Sequence, residues 1–104
     1  MIFIFADDRT VAVVEGLEAA QRDCEEIDVK SGLYAFFDAN GKSLVPVLIK
    51  SKWRRLLSVS HPKFTLETGS DSKIRIEPFL ANALSVEQNP WFKTIDDIRQ
   101  YFSH

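Results

Sequence analysis

Side chains that commonly do covalent or metal chemistry are few in this chain. Its 104 residues include two histidines, His61 and His104, and one cysteine, Cys24. A protein metal site needs several His, Cys or carboxylate ligands at short, regular spacings, and this set supplies none. No metal and no cofactor is therefore expected. His61 precedes Pro62 in a turn-like setting and reads as structural or simply exposed. His104 ends the chain, where side chains are rarely held in place. Ser58 and Ser60 stand near His61, but no strained elbow motif surrounds them, and Ser-Val-Ser alternation is the pattern of a half-exposed strand. Phosphate-cradling loops need clustered glycines before a helix, whereas Gly16, Gly32, Gly41 and Gly69 are scattered. The adjacent acids Glu25-Glu26 and Asp96-Asp97 read as solvated helix faces, since acid–base work needs a cleft that splits their pKa values. The reading is of a binding protein and not an enzyme, with no small-molecule substrate.

The charges carry more information than the catalytic residue types. Net charge is only -2, but it is segregated along the chain. The first 40 residues hold nine acids (Asp7, Asp8, Glu15, Glu18, Asp23, Glu25, Glu26, Asp28 and Asp38) against three bases. Residues 41–63 hold six bases and no acid. Two readings stand. The segments meet in the fold and neutralise each other, or the first forms an acidic face that steers a basic partner. The candidate partner-binding residues are Asp7, Asp8, Glu15, Glu18, Glu25, Glu26, Asp28 and Asp38. Trp53 is a further candidate, as an aromatic interface anchor. It lies within Lys50-Ser51-Lys52-Trp53-Arg54-Arg55, a run that could instead stack a base and hold phosphates. A nucleic-acid-binding module using Lys50 to Arg55 is thus the alternative. The acidic pI of 5.6 and the single short basic segment argue against it.

These residues need elements to position them. Ile2 to Phe5 reads as a buried strand. Asp8 to Cys24 reads as a helix, with Val13, Val14, Leu17, Ala20 and Cys24 as its apolar stripe and Asp7 or Asp8 as its cap. The period then changes to two. Leu33, Ala35 and Phe37 alternate with Tyr34, Phe36 and Asp38, the Asn40-Gly41 reversal follows, and Leu44 to Ile49 returns as a second strand. Leu56 to Ser60 reads as a further strand. Phe64 to Thr68 and Lys73 to Glu77 read as another hairpin around Gly69-Ser70-Asp71-Ser72. Pro78 suits the first turn of a short helix, and Asn89-Pro90 ends it. Thr94 and Asp97 have capping-box spacing at the start of a last helix, docked by Ile95, Ile98 and Phe102. The expected fold is one α+β domain over residues 1–104: an antiparallel sheet with an N-terminal helix and one or two short C-terminal helices packed on one face. No apolar run approaches membrane-spanning length, no internal disulfide can form, and the N-terminus lacks a signal-peptide pattern. The expected location is therefore the cytoplasm, with no membrane partner.

One stretch resembles a known group. Cys24-Glu25-Glu26-Ile27-Asp28-Val29, then Gly32-Leu33-Tyr34, then Phe36-Phe37-Asp38-Ala39-Asn40-Gly41-Lys42-Ser43-Leu44 resemble small bacterial immunity proteins of contact-dependent growth inhibition and related polymorphic toxin systems. The likeness covers the first half of the chain. It implies a cytoplasmic protein that neutralises a cognate toxin domain by tight 1:1 binding over the active site. The toxin would be a nuclease, an RNase before a DNase. Such toxins are commonly basic, so an acidic immunity surface would mimic phosphate. The family brings no catalytic residues, and its toxin contacts differ from pair to pair.

Overall fold

The computed structural model describes residues 1–49, 64–69 and 74–103. Its centre is β1 (Ile2–Ala6), an apolar run with both faces buried. On one side β1 pairs antiparallel with β2 (Thr10–Val14), from Ile2↔Val14 to Phe5↔Val11. On the other it pairs antiparallel with β3 (Tyr34–Asp38), from Ile2↔Asp38 to Ala6↔Tyr34. β4 (Ser43–Leu48) returns beside β3, and β5 (Phe64–Thr68) pairs with β4. The two-residue strand β6 (Ser85–Val86) adds parallel to β2. The order across the six-stranded mixed sheet is β5-β4-β3-β1-β2-β6.

Four short helices flank it: α1 (Leu17–Asp23), α2 (Glu26–Lys30), α3 (Glu77–Asn82) and α4 (Ile95–Tyr101). Helices of five to seven residues are too short to persist alone, so packing on the sheet must hold them. On one face Phe3, Phe5, Val11, Val13 and Phe37 join Ile76, Leu80, Ala83 and Ile98. On the other, Ile2, Ile4, Val14, Phe36 and Phe64 join Ala20, Cys24 and Val29. Two side chains tie helix to frame. Gln21 donates to the Phe64 carbonyl at 2.7 Å, and Arg99 donates to the carbonyls of Leu80 and Ala83 at 3.0 and 3.1 Å. Among the described residues, no helix is long and apolar enough to cross a membrane.

Several expectations are corrected. The helix expected over Asp8 to Cys24 does not begin there, because the chain opens with two strands and α1 starts only at Leu17. Val11, Val13 and Val14 satisfy a helical stripe and a strand equally well, and a strand covered on both faces shows no alternation to separate the two. Asp8 does not cap a helix. Its carboxylate accepts the Thr10 N–H at 3.0 Å in a three-residue hairpin loop that ends on Arg9 at φ 69°. The sheet is mixed rather than antiparallel, and its helices cover both faces rather than one. The second hairpin also fails. β5 pairs back onto β4, and Ile76 and Glu77 lead into α3 with Pro78 in its first turn. The expected strand at Leu56 to Ser60 lies outside the described residues, as does Lys73.

The helix of Pro78 ends at Asn82, before β6, and not at Asn89-Pro90. Two local readings hold. Asp38 accepts the N–H groups of Asn40 and Lys42, Gly41 takes φ 81°, and β3 and β4 meet around this turn. Thr94 and Asp97 form the full capping box of α4.

Phe37 is 0% exposed in the core, so Phe37→Ala is expected to cost about 3–5 kcal/mol by urea denaturation. Thr94→Ala, which opens the exposed capping box, is expected to cost about 1 kcal/mol. Equal costs for the two would contradict this core.

Candidate functional site

The sheet face under α1 and α2 is covered only in part. Ile4 pairs with Ala12 and with Phe36, and Ala6 pairs with Tyr34, so these side chains share that face. The two helices cover Ile2, Ile4, Val14 and Phe36. Beyond them the face is made by Ala6, Thr10, Ala12 and Tyr34, and the small side chains leave a cavity of about 220 Å³.

Five carboxylates surround it. Asp7 and Asp8 come from the β1–β2 loop, Asp23 from the end of α1, Asp28 from α2, and Glu87 from the segment after β6. Ile4, Leu33, Cys24 and Tyr34 complete the wall, and among the described residues no Lys or Arg lines it. Among the described residues' ion pairs, only Arg22–Asp23 touches this set, at 3.3 Å and on the solvent side. An exposed pair of that kind offsets little of the field. Asp8 is held by the Thr10 N–H, and Asp28 receives a long hydrogen bond from the Tyr34 hydroxyl at 3.5 Å.

The field shows in the two weak acids of the wall. The Cys24 thiol, 7% exposed, is pushed from its ordinary 9.0 up to about 11, first by burial and then by the charges of Asp23, Glu87 and Asp28. Tyr34 is also raised, by burial first and then by Cys24, by Asp28 through charge and hydrogen bond, and by Glu25. Both groups resist taking negative charge where carboxylates already crowd. Cys24 is therefore a neutral thiol at pH 7 and a poor nucleophile. The same field repels phosphate and attracts cations. Among the described residues, no group of three or more His, Cys, Asp or Glu is arranged to hold a metal ion. The volume is below that usual for drug-sized ligands, and suits a single basic side chain better than a nucleotide.

The candidate residues named from sequence separate in space. Asp7, Asp8 and Asp28 line the cavity. Glu15, Glu18 and Glu25 are exposed outside the lining, and Glu26 is half-buried outside it. Asp38 spends its carboxylate on the turn between β3 and β4. Trp53, the Lys50–Arg55 segment, His61 and His104 lie outside the described residues. Two rim acids had not been singled out. Asp23 was countable in the acidic block. Glu87 gave no signal, because only the return of β6 to the β2 edge brings it to the rim.

Comparison of the chain with protein-family models, with curated proteins and with solved structures finds no match.

The Cys24 shift has a sign that can be measured. The unfolded chain ionises its thiol near 9 and the folded chain near 11. The folded state therefore holds the proton longer, and its contribution to stability is full below pH 9 and lost as pH rises towards 11. Wild type is expected to lose stability over that window more steeply than Cys24→Ala in urea titrations at pH 8, 9.5 and 11. Parallel curves would count against a buried thiol in a negative field.

Proposed function

We propose that this protein is an immunity protein, which neutralises a cognate toxin domain by binding it one to one through the acidic cavity. The observation that carries the reading is the ring of five carboxylates, drawn from separate segments around one concavity. Collecting so many like charges around one cavity works against folding, and a cationic partner relieves the repulsion. A basic residue of the toxin, of the kind that holds phosphate in a nuclease active site, would enter the cavity and pair with these acids. The toxin's anionic substrate would then be shut out. The resemblance of the Cys24–Leu44 stretch to immunity proteins supports the same reading, and its Asp28, Leu33 and Tyr34 are cavity residues. The cytoplasm, where the toxin acts, is the compartment that goes with this function.

The test is co-expression with the C-terminal domain of the protein encoded immediately upstream. Rescue of growth and a co-purifying 1:1 complex are expected. Combined Asp7→Asn, Asp23→Asn and Glu87→Gln changes are expected to weaken the complex about 10- to 100-fold at low salt, mainly by slowing association, and to flatten its salt dependence. Undiminished affinity at low salt would remove the acidic cavity from the mechanism.

A further inference from the structure

The helix that walls one side of the cavity carries an apolar side chain on its outer surface. Val29 of α2 is buried with Ile2, Ile4 and Phe36, so that side of the helix faces the sheet. Ile27 stands two residues earlier, about 200° round the helix, and therefore faces away from the sheet. It is 67% exposed. Asp28, between the two, is half-buried and belongs to the cavity wall. Cys24, three residues before Ile27, belongs to it as well. The chain leaving α2 turns back to the same place. Ser31 donates its N–H to the Ile27 carbonyl at 3.0 Å, Gly32 at φ 75° donates to Val29 at 3.1 Å, and Leu33 donates to Asp28 at 3.1 Å. These bonds make a Schellman turn, which returns Leu33, another wall residue, to the helical turn that holds Ile27 and Asp28. The floor of the cavity is the sheet itself, at Ile4, Ala6 and Ala12, while its acids Asp7, Asp8, Asp23 and Glu87 are exposed. The mouth therefore opens away from the sheet, the direction in which Ile27 faces.

We infer that Ile27 is an apolar contact of the toxin-binding surface, covered by the toxin domain that closes the mouth of the acidic cavity. This rests on the immunity reading above and extends it from the charged rim to a named apolar residue. A partner seated on the mouth meets Ile27, because Cys24 and Asp28 tie it to the wall from both sides in the chain. The occupant follows from charge. The helix and its cap carry Glu25, Glu26 and Asp28 against Lys30, and the cavity beside them holds four more acids. A second copy would set acid against acid, and an anionic membrane would be repelled, whereas a basic domain gains from the carboxylates and from Ile27 together. The fold itself makes little use of this side chain. It is mostly in water, and a β-branched residue forms a helix less readily than Ala. The Schellman turn holds the backbone under Ile27 before any partner arrives, so little ordering cost falls on the complex. Covering Ile27 removes apolar surface from water, a contribution that salt does not screen.

The experiment measures binding of the upstream protein's C-terminal domain to wild type and to Ile27→Ala. The expected result is a loss of about 10-fold, mostly as faster dissociation. Unlike the loss from rim neutralisation, it should persist at high salt. The urea midpoint of the variant should be unchanged or slightly raised, because Ala is the better helix former. A second readout uses the wild-type protein with isotope-labelled isoleucine methyls and the unlabelled toxin domain. In the complex the Ile27 methyl resonance should shift and be shielded from a soluble paramagnetic chelate, while that of Ile98, buried under the opposite face of the sheet, should stay where it is. If wild type forms the complex but Ile27→Ala binds within about twofold, or the Ile27 methyl stays open to the chelate, the contact is wrong and the immunity reading stands. If wild type forms no complex, the immunity reading fails and the contact falls with it.

Discussion

Double pairing of β1 is the constraint on which the other elements depend. Its five residues meet β2 along one edge and β3 along the other, and its side chains feed both cores. Phe3 and Phe5 point to the face that carries α3 and α4, while Ile2 and Ile4 point to the face that carries α1 and α2. The helices are too short to form first and wait for a sheet. They exist because this strand and its neighbours present two apolar surfaces to cover. The aromatic residues give those surfaces their grip. Phe3 meets Phe92, Tyr101 and Phe102, while Phe5 and Phe37 both meet Phe79, with ring centroids between 4.8 and 5.9 Å.

The cavity is a by-product of the same arrangement. The helix pair covers only the Ile2 and Ile4 end of its face, and the strands beyond carry Ala6, Ala12 and Thr10, which cannot fill the space. Of the acids bordering the gap, Asp7 and Asp8 come from a chain reversal and Asp23 from a helix end, where polar residues belong, while Asp28 comes from within α2 and Glu87 from the segment after β6. Local turn chemistry therefore contributes to a collective electrostatic feature. Asp8 is a turn residue by its hydrogen bond and a rim residue by its position. Cys24 is a core residue by burial and a sensor of the field by its raised pKa.

Glu87 joins the cavity from the far end of the chain. β6 is only two residues long, yet its parallel pairing with β2 carries Glu87 to the cavity. A short edge strand of this kind also limits the open backbone at that side of the sheet.

The local chemistry of the chain was largely legible in its residues. The β3–β4 hairpin at Asn40-Gly41, the capping box at Thr94, Pro78 in a first helical turn and the buried strand at Ile2 are each set by interactions within a few residues, and short-range spacing reports them. The stretch around Val11 to Val14 was not legible, because a strand buried on both faces and a helix with an apolar stripe ask for the same residues. The acidic block was visible, but not which acids would converge. Asp7, Asp8 and Asp28 lie at the cavity, Glu15 and Glu18 do not, and Glu87 joins from a distant segment. The sequence by itself determined the turns, caps and apolar content of this protein. Only the tertiary structure decided which strand lies beside which, and therefore which charges surround the cavity, because those pairings are long-range and leave no local periodicity to read.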